Sequence, residues 1–419
     1  MHSFIAAALV AVAQGVLAAE APVSPPPASQ DKASQDAERK KLEEEIAKEL
    51  GAAPGRSAAA PAPSAGQPAP GAAPAPSAQP ATGGNPYARI LMLPDISAIG
   101  DFAATYHNLD VGNLSPRSGL FGAPHELTPH FEELELGLQS VIDPYARADI
   151  FISFTPDGVD VEEAYLTTLA LPAGFQVRAG KFRSPFGRLN QQHPHVWDFV
   201  DAPLAMDRLL AADALGGPGL GVAWLAPLPW FVELHLAGQT TRPSFIEEDR
   251  RTVAARLQQF FDVGDGVTLG VGLSGARVQE PLAGASRELG GVDLMLKLRP
   301  QSKRSYLVVQ GELFTRRMSG TDEAGTATGG YLQAVFRDGP FYAYGLRGEL
   351  APAAVAGTTL IEPGSGTERR LSALAEWLPS EFQRLRAQAA WDHLPDGHDG
   401  FELTLHLEFA IGAHGAHPF

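Results

Sequence analysis

The chain reads as an all-β protein, a transmembrane antiparallel β-barrel of about sixteen strands behind a non-barrel front end. Three observations carry this. Apolar and polar residues alternate through most of residues 87–419, as in Phe401, Leu403, Leu405, Leu407, Phe409 and Ile411 against Glu402, Thr404, His406, Glu408 and Ala410. A strand sends successive side chains to opposite faces, so such a segment has one wholly apolar face and one polar face. Its length matches the roughly 9–11 residues that a strand needs to cross a bilayer. Finally, no apolar run beyond the first residues approaches the roughly 20 residues of a spanning helix, so any crossing is made by strands.

The front end has three parts. Residues 1–19 hold the apolar run Phe4–Leu17 followed by Ala18-Ala19, the pattern of a cleaved secretory signal peptide. Residues 20–51 include Leu42, Ile46 and Leu50 at a spacing of four among Lys and Glu, a short helical segment that could pair as a coiled coil. Residues 52–86 are rich in Ala and Pro, a composition that buries no core and predicts a disordered linker. With a cleaved signal, this front end lies in the periplasm and the barrel in the outer membrane of a Gram-negative-type cell.

From residue 87 the strands follow in series. Leu134, Leu136 and Leu138 alternate with Glu133, Glu135 and Gln139; Ala146 to Phe154 alternate with Arg147, Asp149 and Ser153 across the Asp143-Pro144 turn. Val232, Leu234 and Leu236 follow Pro227-Leu228-Pro229, and Val267 to Leu273, Val292 to Leu298, Leu307 to Leu313 and Leu385 to Trp391 repeat the pattern. Pro156-Asp157-Gly158, Gly264-Asp265-Gly266 and Arg337-Asp338-Gly339-Pro340 predict short turns. Residues 279–290, 318–330 and 356–368 predict longer polar loops. Short turns at one rim and long loops at the other mark an outer-membrane barrel. Tyr145, Trp230, Tyr342, Trp377 and Trp391 fall at strand ends, where interfacial girdles lie.

In such a barrel the leucines meet lipid and the charged faces enclose water. Glu133, Glu135, Arg147, Asp149, Arg256, Lys297, Glu312, Arg347, Arg386 and Glu402 are the lumen-lining candidates. A net charge of −16 excludes nucleic acid as a natural partner. Residues 87–419 keep 40 acidic against 26 basic side chains, a balance that points away from an anion filter. There is no cysteine, hence no disulfide and no thiolate metal site. No Ser/His pair with an orienting group stands out, so the chain reads as a non-enzyme without a cofactor.

Gly180-Lys181-Phe182-Arg183-Ser184-Pro185-Phe186-Gly187 precedes the longest loop, which closes at Gly216-Gly217-Pro218-Gly219-Leu220-Gly221. This combination resembles the phosphate-selective porin O and P type family. Val161-Glu162-Glu163-Ala164-Tyr165, His193-Pro194-His195 and the closing Ala413–Phe419 look like outer-membrane barrels labelled zinc-regulated TonB-dependent receptors. The resemblance implies a porin-like channel for passive diffusion of small hydrophilic solutes or ions, assembled as a homotrimer. Phe419 is similar to the terminal signal read by the barrel-assembly machinery. Loop 184–219 is the expected constriction, with Arg183, Arg188, His193, His195, Asp198, Asp201, Asp207 and Arg208 as its charged residues. His193 and His195 are weak metal candidates, and no metal is expected. The alternatives are a zinc-binding or zinc-uptake receptor and a structural barrel tethered to the periplasm.

Overall fold

The computed structural model describes residues 94–109, 120–211, 214–243, 249–279, 285–300, 304–320, 325–353, 361 and 366–412. The predicted signal peptide, helical segment and linker, together with Phe419, lie outside the described residues.

Sixteen strands form one sheet in which every neighbour in space is a neighbour in sequence, and the sheet closes on itself. They begin with β1 (Asp95–His107), β2 (Leu127–Asp143), β3 (Ala146–Thr155) and β4 (Gly158–Thr168). Next come β5 (Phe175–Arg183), β6 (Gly216–Leu225), β7 (Phe231–Thr241) and β8 (Arg250–Asp262). β9 (Val267–Val278), β10 (Ser286–Leu298), β11 (Tyr306–Ser319) and β12 (Gly325–Asp338) follow. The series ends with β13 (Tyr342–Pro352), β14 (Thr367–Ser380), β15 (Gln383–His393) and β16 (Asp399–Gly412). Closure is made by β1 on β16, from Ser97 opposite Gly412 to His107 opposite Glu402. Every strand is therefore paired on both sides, which removes the open edges that a bilayer does not tolerate.

The period-two pattern sets which side is which. Leu220, Val222, Leu234, Leu236, Leu346, Leu371 and Leu405 point outward and are exposed, while Asp149, Arg256, Arg347, Arg386 and Glu402 are buried inside. Aromatic side chains gather on the outside at the rim of the short turns. Tyr145, Phe175, Trp230, Phe341, Tyr342, Trp377 and Phe382 are all exposed there, as an interfacial girdle requires. Phe175 stacks on Trp224 with ring centroids 6.1 Å apart. Trp391 faces out at the opposite rim.

The connections depart from expectation in two ways. The Pro156-Asp157 turn between β3 and β4 belongs to the rim of the longer loops, not to the short-turn rim. The loops predicted at 279–290 and 318–330 are shorter, because Ser286–Gly290 and Gly325–Gly330 continue the ladders of β10 and β12. The loop after β5 likewise ends at 215, since Gly216–Gly219 already pair with Gly180–Arg183 in β5.

At closure, Gly100 lies under the Phe409 ring, where a side chain's first carbon would stand 2.6 Å from the ring. Phe409 in turn stacks on Phe102 at 6.1 Å.

Candidate functional site: the in-folded loop and its acidic cavity

Residues 184–211, 214 and 215 lie inside the barrel and fill one side of it. The turn is made at Gly187, whose φ of 62° is left-handed; a side chain's first carbon there would lie 2.6 Å from a Glu312 carboxylate oxygen. Glu312 uses this close approach to accept the next two backbone N–H groups, from Arg188 at 2.7 Å and Leu189 at 2.9 Å. Asn190 then ties the ends of the loop together. Its amide donates to the Ser184 and Leu215 carbonyls, and its carbonyl accepts from the Leu215 N–H.

A short helix, α1 (Leu204–Leu209), lies against β11, β12 and β13. Phe186, Leu189, Trp197, Leu204, Met206, Leu209, Leu210 and Leu215 are buried there against Leu289, Phe314, Tyr331, Ala351 and Ile361. This part of the interior is a dry core, not a wet lumen. The barrel wall makes room for it by placing Ala254, Ala276, Leu289 and Phe314 at inward positions where polar residues would otherwise stand.

An irregular backbone at membrane depth needs partners for its N–H and C=O groups, and the inward charges supply them. Arg384 donates to the His195 carbonyl at 3.0 Å, Arg386 to Trp197 at 3.0 Å, and Arg347 to Asp201 at 2.9 Å. Glu349 accepts the Leu204 N–H at 2.6 Å and Gln388 that of Val200 at 3.0 Å. Asp201 is the hub of this seat. Its carboxylate pairs with Arg347 and, at 2.8 Å, with Arg370. Burial alone would raise the Asp201 carboxyl, and the two guanidiniums overcome that and hold it below the usual carboxylate range.

Opposite the core, the interior keeps a cavity of about 970 Å³ that opens at the rim of the longer loops. Eight carboxylates line it, from Asp101, Glu132, Glu133, Asp157, Asp160, Glu162, Asp201 and Asp249, against four basic groups from Lys181, Arg183, Arg242 and Arg386. His195 and His406 complete its polar wall.

Of the expected constriction residues, Arg183, His195 and Asp201 reach this cavity. Arg183 also donates to the Gln192 carbonyl at 3.1 Å and to Glu162 at 2.8 Å. The others are anchors. Arg208 is buried against Glu368 at 2.8 Å and the Pro352 carbonyl, Asp207 is buried beside it, and Asp198 pairs with Arg337 at 2.8 Å. Arg188 lies half-buried with its Nε 3.2 Å from Gln310, and burial pushes its guanidinium down from the ordinary arginine range. His193 is buried between Glu135, Glu162 and Glu163. Burial and Arg183 push its imidazole down, but hydrogen bonds to those three carboxylates hold it well above its ordinary value.

All ten lumen-lining candidates occupy inward-facing register positions, with different surroundings. Glu133 lines the cavity; Glu312, Arg347 and Arg386 hold the loop. Arg147 pairs with Asp149, and Arg256 with Asp293 at 2.5 Å. Glu402 accepts from Arg370 at 3.1 Å, and Lys297 lies over Tyr306, 5.0 Å from the ring centre. Glu132 and Glu162 escape a strict period-two reading. Each is the extra residue of a bulge, where the register of β1 on β2 and of β3 on β4 shifts by one, and both turn inward.

No protein-family model matches the chain. A protein of Aquifex aeolicus (strain VF5), described as an uncharacterized protein, is 34% identical over 388 residues, covering 80% of this chain and 82% of that one. Among solved structures the barrel is similar to Pseudomonas putida OprB (TM-score 0.55, 11% identity, 76% of this chain and 94% of that one). It is similar also to the outer-membrane channel DcaP of Acinetobacter baumannii (0.54, 12%, 76% and 97%) and to an anion-selective porin from Comamonas acidovorans (0.52, 11%, 76% and 99%). At these identities the likeness is one of fold: a sixteen-strand barrel of the outer-membrane porin type.

Proposed function

The chain belongs to the same family as the Aquifex aeolicus protein, and we propose that it forms a passive outer-membrane channel that favours small hydrophilic cations. The observation that carries this reading is the acidic cavity beside the packed loop. A constriction selects ions by the sign of the charges around it, and a low-dielectric wall strengthens their field. Here the carboxylates outnumber the basic side chains two to one, and Arg386 and Arg183 spend donors on the loop backbone. Loop 184–219, shortened at its end by the start of β6, is the constriction in this reading, the leucine-bearing outer face meets lipid, and the protein is not an enzyme. Homotrimeric assembly and recognition of Phe419 by the barrel-assembly machinery rest on the family resemblance alone.

Purified protein in a planar bilayer under a KCl gradient tests it. The expected result is steady conductance with a cation-favouring reversal potential. Asp160→Asn with Asp249→Asn moves that potential toward zero, more at 0.1 M salt than at 1 M, because the Debye length shortens from about 10 Å to about 3 Å. A silent bilayer, or an anion-favouring potential, overturns the reading.

A further inference from the structure

The His193-Pro194-His195 turn brings two imidazoles onto one carboxylate of the wall. Oε2 of Glu135 lies 2.6 Å from Nδ1 of His193 and 3.6 Å from Nδ1 of His195. The three donor atoms all fall within 4.8 Å of one another, and all three residues are buried. Oε2 of Glu162 is 3.1 Å from the same His193 nitrogen. On the far side of that ring, Nε2 stands 2.8 Å from Oε2 of Glu163.

A carboxylate only accepts, so each nitrogen of His193 donates to one, Nε2 to Glu163 and Nδ1 to Glu135; an incoming cation displaces the Nδ1 proton to solvent and takes that lone pair. A carboxylate that fixes one ring nitrogen while the other faces the ligand cluster is the arrangement that orients metal-binding histidines. Two imidazole nitrogens and a carboxylate oxygen are a zinc-type donor set. Donors about 2.0–2.2 Å from a tetrahedral ion stand about 3.3–3.6 Å apart. The pair at 3.6 Å already fits, and the pair at 2.6 Å opens by less than 1 Å. His195 and Glu162 line the acidic cavity, which gives an ion a route to the site.

A second cluster, Asp101, His406 and Glu408, differs in already holding a guanidinium. The Arg386 guanidinium donates to Nδ1 of His406 at 3.1 Å, so Nε2 carries the hydrogen toward Glu132 at 3.1 Å. The same guanidinium donates to Oε2 of Glu408 at 3.1 Å, so the positive charge that an ion would bring is already supplied there.

We propose that Glu135, His193 and His195, with Glu162 or a water as fourth donor, bind a divalent cation of the Zn²⁺ class that ties the in-folded loop to β2. Glu163 is the positioning residue for His193. The site stands on the seat of the loop and not on conduction, so its test uses binding alone.

Untagged full-length protein, folded in detergent and stripped with a chelator, is titrated with Zn²⁺ and separately with Co²⁺. One equivalent binds, and Co²⁺ gives the intense visible bands of tetrahedral ligation. His193→Ala with His195→Ala abolishes that equivalent. The isosteric Glu135→Gln weakens it at least tenfold and Glu163→Gln by about 10–100-fold, with the folded barrel band on a gel unchanged. His235→Ala leaves it intact. Absence of saturable binding in the wild type overturns the proposal, as does equal affinity in Glu135→Gln or in the double histidine variant. A silent bilayer leaves this site standing, and an absent site leaves the channel reading standing.

Discussion

Replacing Arg347 by alanine unseats the loop and leaves the barrel closed. Arg347 donates to the Asp201 carbonyl at 2.9 Å, to the Asp201 carboxylate and to Glu349 at 2.7 Å, and lies 4.5 Å over the Phe199 ring. It is 1% exposed, so water does not replace what is lost. Removing one partner of a buried charge pair costs about 3–5 kcal/mol. Arg370 remains 2.8 Å from Asp201 and offsets part of that, which points to the lower end. About 3 kcal/mol is roughly a hundredfold increase in the unseated fraction of the loop. The strand ladders are backbone bonds that Arg347 does not make, so the barrel keeps its resistance to detergent. Single-channel recording reads the change as larger and noisier conductance, and limited proteolysis reads it as new cleavage within residues 197–204. Arg347→Met with Asp201→Asn removes the two paired charges together and recovers part of the loss, the remainder being the donors that Glu349 and the Asp201 carbonyl no longer receive. Unchanged conductance together with an unchanged cleavage pattern in Arg347→Ala refutes the assignment of the inward charges to the loop.

Two further outcomes follow from the same structure. The Asp201 carboxyl is held below its unfolded value, so its contribution is present above the ordinary carboxylate range of about 3.9 and is lost as pH falls through the depressed folded value. Conductance recorded from about pH 8 down to about pH 5 therefore shows no loosening attributable to this anchor, and loosening begins only below about pH 4; an opening centred near neutrality contradicts the seat. Leu236→Arg places a charge on the outward face at mid-strand, and folding into lipid vesicles monitored against denaturant should lose about 2–4 kcal/mol. A neutral result would mean that this face does not meet hydrocarbon.

The barrel was legible because period two is a strong signal when it recurs strand after strand. Leu220, Val222, Leu234 and Leu236 face out, and Arg256, Glu312 and Arg347 face in, as alternation requires. The interior was less legible, since alternation says which way a residue points and not what it meets there. Arg347, Glu312 and Arg386 read as lining for water, yet they meet the carbonyls and amides of a folded-in loop. A clue was present. Ala254, Ala276, Leu289 and Phe314 break the polar run at inward positions, and Leu204 to Leu215 is an apolar stretch inside a loop otherwise rich in charge. Glu132 and Glu162 escaped for a different reason: each sits at a register shift, and a bulge leaves no mark in composition. The loops came out too long because Gly and Thr in 325–330 look like turn material and still complete a ladder.

The bonds from Gln388 to Val200 and from Arg386 to Trp197 join β15 to a segment that leaves the wall at β5. The loop is therefore a strut spanning the inside of a cylinder, fastened at several points around its circumference. A hollow sheet can flatten into an oval under lateral pressure from the bilayer, and an internal brace resists that deformation. Whatever frees the strut also softens the cylinder, so permeability and mechanical stiffness in this molecule rise and fall in opposite directions through one shared set of arginines.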